Sequence, residues 1–288
     1  MLLTTDAGIA EDGNTFFRNL SLGNLRGTYK QLGVAPASLK PLVMRGVDRE
    51  IGRARAGQPA KIFLKMNSLT DRDVIDKISE ACEAGVEVKM IVRGICCIKA
   101  NVPGKTDGLV VRQIVGRFLE HARIYAFGEE ADTIYLSSAD MMTRNTERRV
   151  EIAYPVTDPA CREIVRHFMD LQLADNVKAR QLTFEGTWGP VPREEGAADV
   201  NCQEVLLVEA AERAHAAVQA EKTAKSETQI EAVPTPELVV AKPEAATKPE
   251  ATNAAPAPAI DPGQQPTSRV SRAFALIGEG LKTLFSGK

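Results

Sequence analysis

The sequence predicts an α/β fold, in which a sheet is flanked by helices, on three observations. An apolar, strand-like run at Lys61–Met66 is followed by a helical repeat over residues 71–84 and by a second apolar run over 86–92. Strand, helix and strand in this order form a βαβ unit, whose two strands pair in parallel through a right-handed crossover. Further short strand-like runs follow, each bordered by Gly, Ser, Arg or His. We therefore expect a sheet that presents polar groups along one edge.

The predicted helices carry recognisable start signals. Ser38 is a candidate N-cap for a helix over 39–56, and Thr70 with Asp73 resembles a capping box for the helix over 71–84. Pro159 is predicted at the first position of a later helix, where its missing N–H costs nothing. The remaining strands are predicted at residues 109–114, 124–127, 133–136 and 149–154. Together these elements predict one compact unit at residues 34–182.

The two ends of the chain differ from this unit. Residues 1–33 lack a domain-opening element, and we expect them to be the remnant of a preceding domain, in a chain truncated at its N-terminus. Residues 183–267 are expected to be a mostly disordered linker rich in Ala, Pro, Glu and Lys, with a possible helix over 204–220. Residues 268–288 repeat apolar side chains at helical spacing beside Arg and Lys. They form either an amphipathic helix on an anionic membrane or partner, or a weakly helical tail.

Charge and cysteine content limit the class of protein. The formal net charge of −2 does not identify a partner, since Arg is dense between residues 93 and 149 while Glu accumulates after about residue 195. Five scattered cysteines without a CxxC pair indicate neither a disulfide framework nor a zinc site, and they favour a reducing cytoplasm. No signal peptide is visible, and no apolar run is long enough to span a bilayer.

Residues 93–140 and the loop that follows them concentrate side chains that suit phosphate. Arginines at predicted strand ends or in adjoining loops are Arg93, Arg117, Arg123, Arg144 and Arg148. A guanidinium stays charged and offers five planar donors, although any single arginine is more simply explained as a solvated surface residue. His121 precedes a predicted strand and is either a proton donor or phosphoryl acceptor, or a satisfied structural histidine. Ser137, Ser138 and Asp140 either bind a phosphate or form a turn.

Several blocks of the sequence resemble the C-terminal catalytic domain of bacterial polyphosphate kinase. They are KMNSLTD, IVRGICC, IVGRFLEHARIYAF, YLSSAD, NTERRVEIAYPV and VKARQL, collinear over residues 2–182. The resemblance implies a phospholipase-D-like mixed sheet flanked by helices, one of a pair of such domains that face each other around a tunnel. It also implies that Arg93 and His121 contact ATP phosphates and that His121 is catalytic. Looser superfamily parallels, His121-Ala122-Arg123 to HxK and Ser137 to Asp140 to GSxN, add Arg123, Ser138 and Asp140 as ATP- or phosphate-binding residues.

The function implied by the resemblance is a polyphosphate kinase, which transfers the terminal phosphate of ATP reversibly to a polyphosphate chain. This chain would supply the ATP-phosphate-binding half of the site, while the phosphohistidine and the Mg²⁺ ligands are expected in an upstream part that the sequence does not contain. Expected partners are ATP or ADP, inorganic polyphosphate, and either further copies of the chain or a complementing upstream half; no nucleic acid is expected. The alternative is a catalytically inactive fragment that binds polyphosphate or nucleotide.

Overall fold

Among the residues that the structure describes, nine strands form one sheet with helices on both faces. The structure is a computed structural model and describes residues 2–193 and 195–230. The helices are α1 Ala7–Ser21, α2 Leu39–Arg55, α3 Arg72–Glu83, α4 Thr143–Glu147, α5 Pro159–Ala174 and α6 Cys202–Ile230. The strands are β1 Gly33–Val34, β2 Lys61–Met66, β3 Glu87–Val92, β4 Val110–Ile114, β5 Ile124–Phe127, β6 Thr133–Ser137, β7 Ile152–Pro155, β8 Ala179–Leu182 and β9 Trp188–Pro190.

The sheet is mixed, in the order β1-β7-β6-β5-β2-β3-β4-β8-β9. Strands β2, β3 and β4 are parallel, whereas β5 pairs antiparallel with β2 and β6 antiparallel with β5. The predicted βαβ unit and the α/β class, a mixed sheet flanked by helices, are thereby confirmed. These directions bring the carboxyl ends of β2, β3, β4 and β6 and the start of β5 to one edge of the sheet. We call this edge the rim.

The core has two layers, one on each face of the sheet. On one face, α2 and α3 bury side chains such as Val43, Val47 and Ile78 against β2 and β3. On the other face, α5 packs Met169 over Phe63. Each fully buried aliphatic or aromatic side chain stabilises the fold by about 1.5–3 kcal/mol, so both faces hold the sheet rigid beneath the rim.

Two of the predicted helix starts differ in detail from the structure. Ser38 occupies the N-cap position of α2, but its hydroxyl accepts from the N–H of Val34 rather than capping the helix. The cap of α3 is Asp71, not Thr70, because the Asp71 carboxylate accepts from the N–H groups of Asp73 and Val74. The position of Pro159 at the start of α5 is confirmed.

Residues 1–33 contain one long helix, α1. Its N-cap is Asp6, whose carboxylate accepts from the N–H of Ile9 at 2.8 Å. The buried carboxylate of Asp12 accepts from the N–H groups of Lys30, Gln31 and Leu32, at 3.1, 2.6 and 2.9 Å. This contact fixes the chain that leads from α1 into β1.

The boundary expected at residue 182 is too early. Strand β9 pairs with β8, and helix α6 includes the possible helix that was predicted over 204–220. Much of residues 183–230 therefore has regular secondary structure and is not a disordered linker. The buried Asp175 carboxylate accepts from the N–H of Cys202 at 2.8 Å and ties the start of α6 to the sheet. Local composition did not reveal these contacts, because they join residues far apart in the sequence.

The rest of the expected linker, from residue 231, and the expected amphipathic segment 268–288 lie outside the described residues. Within the part of the chain that is described, no helix has the length and apolar character needed to cross a membrane. The five cysteines are free thiols.

Candidate active site

The rim is built from loops that follow or precede the central strands. Asn67 follows β2, Arg93 follows β3, and His121 with Arg123 precedes β5. Asp140 lies in the loop after β6. Parallel bridges of Leu69 to residues 96 and 141 hold three of these loops side by side, so side chains from distant parts of the sequence meet at one place.

Asp140 is the centre of the hydrogen-bond network on the rim. Its Oδ1 accepts from the backbone N–H of Asn67 at 2.7 Å and from Asn67 Nδ2 at 3.2 Å. Arg123 also donates two hydrogen bonds to Asp140, from Nε to Oδ1 and from Nη2 to Oδ2, both at 3.2 Å. Although burial alone would raise the pKa of the Asp140 carboxyl, the Arg123 guanidinium and the Asn67 donors hold it below its usual value. Asp140 is therefore a buried anion that accepts three hydrogen bonds at Oδ1 and one at Oδ2.

Arg93 is anchored through one nitrogen only. Its Nε donates to Asn67 Oδ1 at 2.9 Å, and within the described part of the chain no hydrogen bond or ion pair occupies its terminal nitrogens. The chain turns tightly after it, since the N–H of Gly94 donates to the Asn67 carbonyl at 2.7 Å. A Cβ at residue 94 would lie 3.0 Å from that carbonyl oxygen, so a glycine suits this close approach. The guanidinium of Arg93 is thus oriented while its outer donors remain open.

His121 is held by Arg123. The Nη1 of Arg123 lies 3.0 Å from His121 Nδ1 and 3.0 Å from the His121 carbonyl oxygen. A guanidinium has no acceptor, so the contact assigns Nδ1 as the acceptor and places the proton of the neutral imidazole on Nε2. The residue is exposed. The exposed ring therefore offers an N–H donor at Nε2.

Ser138 and the other arginines are not part of this network. The Ser138 hydroxyl donates to Glu151 Oε2 at 2.6 Å and accepts from the N–H of Ile152 at 3.1 Å, which directs it to β7. Arg117 stacks on the Phe118 ring, 5.4 Å from its centroid, while Arg144 and Arg148 are exposed on and after α4. A phosphate contact of Ser138 stays a prediction.

Sequence reasoning missed Asn67, Lys65 and Glu120. Asn67 joins Arg93 to Asp140, and its position in the KMNSLTD block was the signal that could have found it. Lys65 and Glu120 form a buried ion pair, 2.9 Å apart, and Glu120 directly precedes His121 in the sequence. Burial and the nearby charge of Arg93 lower the pKa of Lys65, whereas the attraction of Glu120 opposes that change. Lys65 lies on β2, and Glu120 lies in the loop before β5.

The rim does not provide a site for a metal ion. No group of three or more His, Cys, Asp or Glu side chains that could hold one is found among the residues that the structure describes. The Asp140 carboxylate is already bound by Arg123 and Asn67, and the neighbouring groups are cationic or amide donors. This donor set fits anionic oxygens and not Mg²⁺.

Comparison with known proteins identifies relatives with this arrangement of elements. Residues 32–203 match the family described as polyphosphate kinase C-terminal domain 2. The polyphosphate kinase of Staphylococcus saprophyticus is 46% identical over 210 residues, which are 73% of this chain and 29% of that protein. The polyphosphate kinase of Streptomyces coelicolor is 40% identical over 188 residues, which are 65% of this chain and 25% of that protein.

A solved structure extends the comparison to three dimensions. The crystal structure of polyphosphate kinase from Porphyromonas gingivalis superposes with a TM-score of 0.68 at 32% identity, covering 73% of this chain and 32% of that one. The chain thus spans less than a third of the length of these relatives. Because the family match covers more than half of the chain and the relatives are 32–46% identical, the chain belongs to the polyphosphate kinase family, and its residues 32–203 correspond to that family's C-terminal domain 2.

Proposed function

We propose that this chain supplies the ATP-phosphate-binding half of a polyphosphate kinase active site, in which the terminal phosphate of ATP is transferred reversibly to a polyphosphate chain. The observation that carries the proposal is the continuous network from Arg93 through Asn67, Asp140 and Arg123 to His121. It orients a guanidinium and an imidazole toward solvent from one rigid edge of the sheet. Phosphoryl transfer requires such preplaced donors more than it requires covalent chemistry.

The two outward-facing groups have distinct roles. The terminal nitrogens of Arg93 bind non-bridging phosphate oxygens as a planar fork. The Nε2–H of His121 donates a hydrogen bond to a phosphate oxygen, and this bond stabilises the negative charge that builds up on the leaving oxygen as its bond to the terminal phosphorus breaks. Losing one donor of this kind costs about 3 kcal/mol of barrier, roughly a hundredfold in rate.

Arg123 and Asp140 act behind these groups. Arg123 donates to His121 and to Asp140, and the Asp140 carboxylate accepts from Arg123 and Asn67 and offers no donor to a phosphate. We infer that their contribution to phosphate binding is to set the orientation of His121 and, through Asn67, of Arg93. Ser138 contributes only if its hydroxyl leaves Glu151.

The other half of the site comes from elsewhere. The nucleophilic histidine and the Mg²⁺ ligands belong to an upstream half, which either a further polypeptide or a longer chain provides. Large apolar side chains are exposed around the rim, at Ile95, Val115, Phe118 and Leu119. Such a group of exposed apolar residues beside a polar site is typical of a surface that another body covers. Assembly into homo-oligomers or with a complementing upstream half and a cytoplasmic location complete the proposal, with peripheral membrane contact of residues 268–288 as the alternative to a weakly helical tail.

Binding measurements test the phosphate site directly. The affinities of the purified chain for ATP and for inorganic polyphosphate are measured by calorimetry over a series of salt concentrations. Arg93→Ala and His121→Ala are each expected to weaken binding by about tenfold or more, and affinity should fall steeply with salt. Arg55→Ala and His215→Ala are matched controls, since both residues are exposed and lie outside the network. Affinities that Arg93→Ala and His121→Ala leave unchanged would overturn the proposed site.

Activity distinguishes an enzyme half from a binding module. The chain is incubated with ATP, Mg²⁺ and polyphosphate, with and without a polypeptide comprising the upstream half of a family member. Polyphosphate synthesis that requires both polypeptides supports the proposal. Tight binding without synthesis in either mixture, while an intact family member is active, would favour the inactive polyphosphate- or nucleotide-binding fragment instead.

A further inference from the structure

The loop that carries His121 is held by the first turn of α6. Gln203 Oε1 accepts from the N–H of Phe118 at 2.9 Å, and Gln203 Nε2 donates to the Phe118 carbonyl at 2.9 Å. The same Nε2 donates to Glu120 Oε1 at 2.7 Å. The side chain is 6% exposed, so these contacts are shielded from competing water. One amide therefore fixes two residues of the loop just before His121.

Glu120 receives further donors on its other oxygen. Glu120 Oε2 accepts from Lys65 Nζ at 2.9 Å and from Gln172 Nε2 at 2.7 Å. Lys65 is on β2, Gln172 is on α5 and Gln203 is on α6, so three separate elements converge on one carboxylate. His121 directly follows Glu120 in the chain and does not belong to a strand. The hydrogen bonds of Glu120 with Lys65, Gln172 and Gln203 therefore position the backbone of His121.

The start of α6 is itself fixed to the sheet. Asp175 Oδ2 accepts from the N–H of Cys202, and Asp175 Oδ1 accepts from the N–H of Ala179 at the start of β8. The Asp175 side chain is completely buried. Gln203 therefore reaches the loop from a helix whose register is determined by the folded core.

From these contacts we propose that Gln203 is a positioning residue for His121, through which α6 controls the phosphate-binding rim. This inference rests on the proposed function, because it assigns to His121 a role in binding phosphate. Gln203 touches neither His121 nor a ligand directly, and acts through Phe118 and Glu120. The geometry of the Arg123–His121 contact depends on the loop position that this amide sets.

Two substitutions disturb the contact from opposite sides. Gln203→Ala removes the amide. Gly116→Ala leaves α6 unchanged, but its Cβ would lie 2.5 Å from Gln203 Oε1 and 2.9 Å from its Cδ, so the amide is displaced. Gly189→Ala is the matched control, because the Cβ there meets only Thr183 Cγ2 at an ordinary 3.4 Å. None of these residues contacts the proposed phosphate.

The readout is the imidazole of His121, followed by ¹⁵N NMR in the full chain. The sequence has three histidines, and His121→Gln identifies the resonances of interest. Both Gln203→Ala and Gly116→Ala should move the Nδ1 and Nε2 resonances of His121 while leaving those of His215 in place. They should also weaken ATP binding by about tenfold, since a small misplacement of a binding group is costly. Gly189→Ala should change neither.

Folded variants with unchanged His121 resonances would overturn the inference. If Gln203→Ala fails to fold, Gly116→Ala decides the matter alone. Wild-type protein that binds no ATP would overturn the proposed function, but movement of the His121 resonances would still support the positioning role of Gln203. Failure of the inference and failure of the proposed function thus give different results.

Discussion

Arg123 and Asp140 form a two-point ion pair on the rim, with Nε 3.2 Å from Oδ1 and Nη2 3.2 Å from Oδ2. The pair is mostly buried, at 13% and 12% side-chain exposure, and Asn67 completes it with two more donors to Oδ1. A carboxylate so occupied repels phosphate rather than binding it. Asp140 therefore affects a ligand indirectly, by orienting Arg123 and Asn67.

Replacing Asp140 by Asn removes the charge and keeps the shape. We expect the free energy of unfolding at pH 7 to fall by about 2 kcal/mol, because the guanidinium of Arg123 loses its buried counter-charge. The pKa of Asp140 is lowered in the folded state, so its contribution is present above about pH 4 and is lost as the pH falls through the folded-state value. Urea unfolding at pH 7 and at lower pH should therefore show a weaker acid destabilisation in Asp140→Asn than in wild type.

The exposed Asp76 gives the control for that comparison. It pairs with Arg72 at 3.9 Å with 72% of its side chain exposed, so Asp76→Asn should change stability by less than about 0.5 kcal/mol. An acid sensitivity of Asp140→Asn equal to that of wild type would mean that the carboxyl is not held in its charged form by Arg123.

Asn67→Ala should weaken phosphate binding through Arg93. The change removes the acceptor of Arg93 Nε, so the guanidinium samples several orientations before it binds a ligand. We expect ATP affinity to fall about fivefold, which corresponds to the roughly 1 kcal/mol typical of one hydrogen bond. In the Arg93→Ala background the same substitution should add little, and calorimetry on the four proteins of the cycle measures the coupling. Additive effects of the two substitutions would contradict the link.

Removing one member of the Lys65–Glu120 pair should lower the free energy of unfolding much more than replacing both members together. Lys65→Met leaves a buried carboxylate without its cation and should destabilise the protein by about 3 kcal/mol in chemical unfolding. Lys65→Met combined with Glu120→Gln should recover much of that loss. The exposed pair of Lys105 and Glu83 has a similar length, 2.7 Å, and Lys105→Met there should leave the urea midpoint almost unchanged, because water screens the pair. Equal losses for the two lysines would show that burial does not decide the energy.

Elements with strong local patterns were predicted closely from the sequence. The bounds of β2 and β5 coincide with the predicted Lys61–Met66 and Ile124–Phe127, and α3 lies within the predicted 71–84. Apolar periodicity and a terminal glycine are local signals, and Gly85 indeed takes a left-handed φ of +87° after α3. Periodicity alone does not decide which apolar residues of α5 are buried: Ile164 is 69% exposed, while Val165 and Phe168 pack on the core.

Several residues of the candidate site were predicted from the sequence, but the hydrogen bonds between them were not. Arg93, His121, Arg123 and Asp140 do converge, since strand ends of known direction share one edge of the sheet. The network between them was not predictable, because it depends on contacts such as that between residues 67 and 140, 73 positions apart. Gln203 lies 83 positions from Glu120 in a segment whose composition resembles a linker. Its role follows from three-dimensional distance alone.

A pair of glycines in α2 offers a test of core packing behind the sheet. A Cβ on Gly46 would lie 2.6–2.8 Å from three atoms of the Phe127 ring, whereas a Cβ on Gly52 would meet nothing within 4 Å. Gly46→Ala should therefore lower the free energy of unfolding by about 1–3 kcal/mol through overpacking. Gly52→Ala should raise it by up to about 1 kcal/mol, because alanine loses less backbone entropy in a helix. Urea unfolding of both variants should show that the same substitution, glycine to alanine, lowers the free energy of unfolding at residue 46 and raises it at residue 52. Stabilisation by Gly46→Ala would mean that Phe127 moves away without cost and that α2 does not pack tightly on β5.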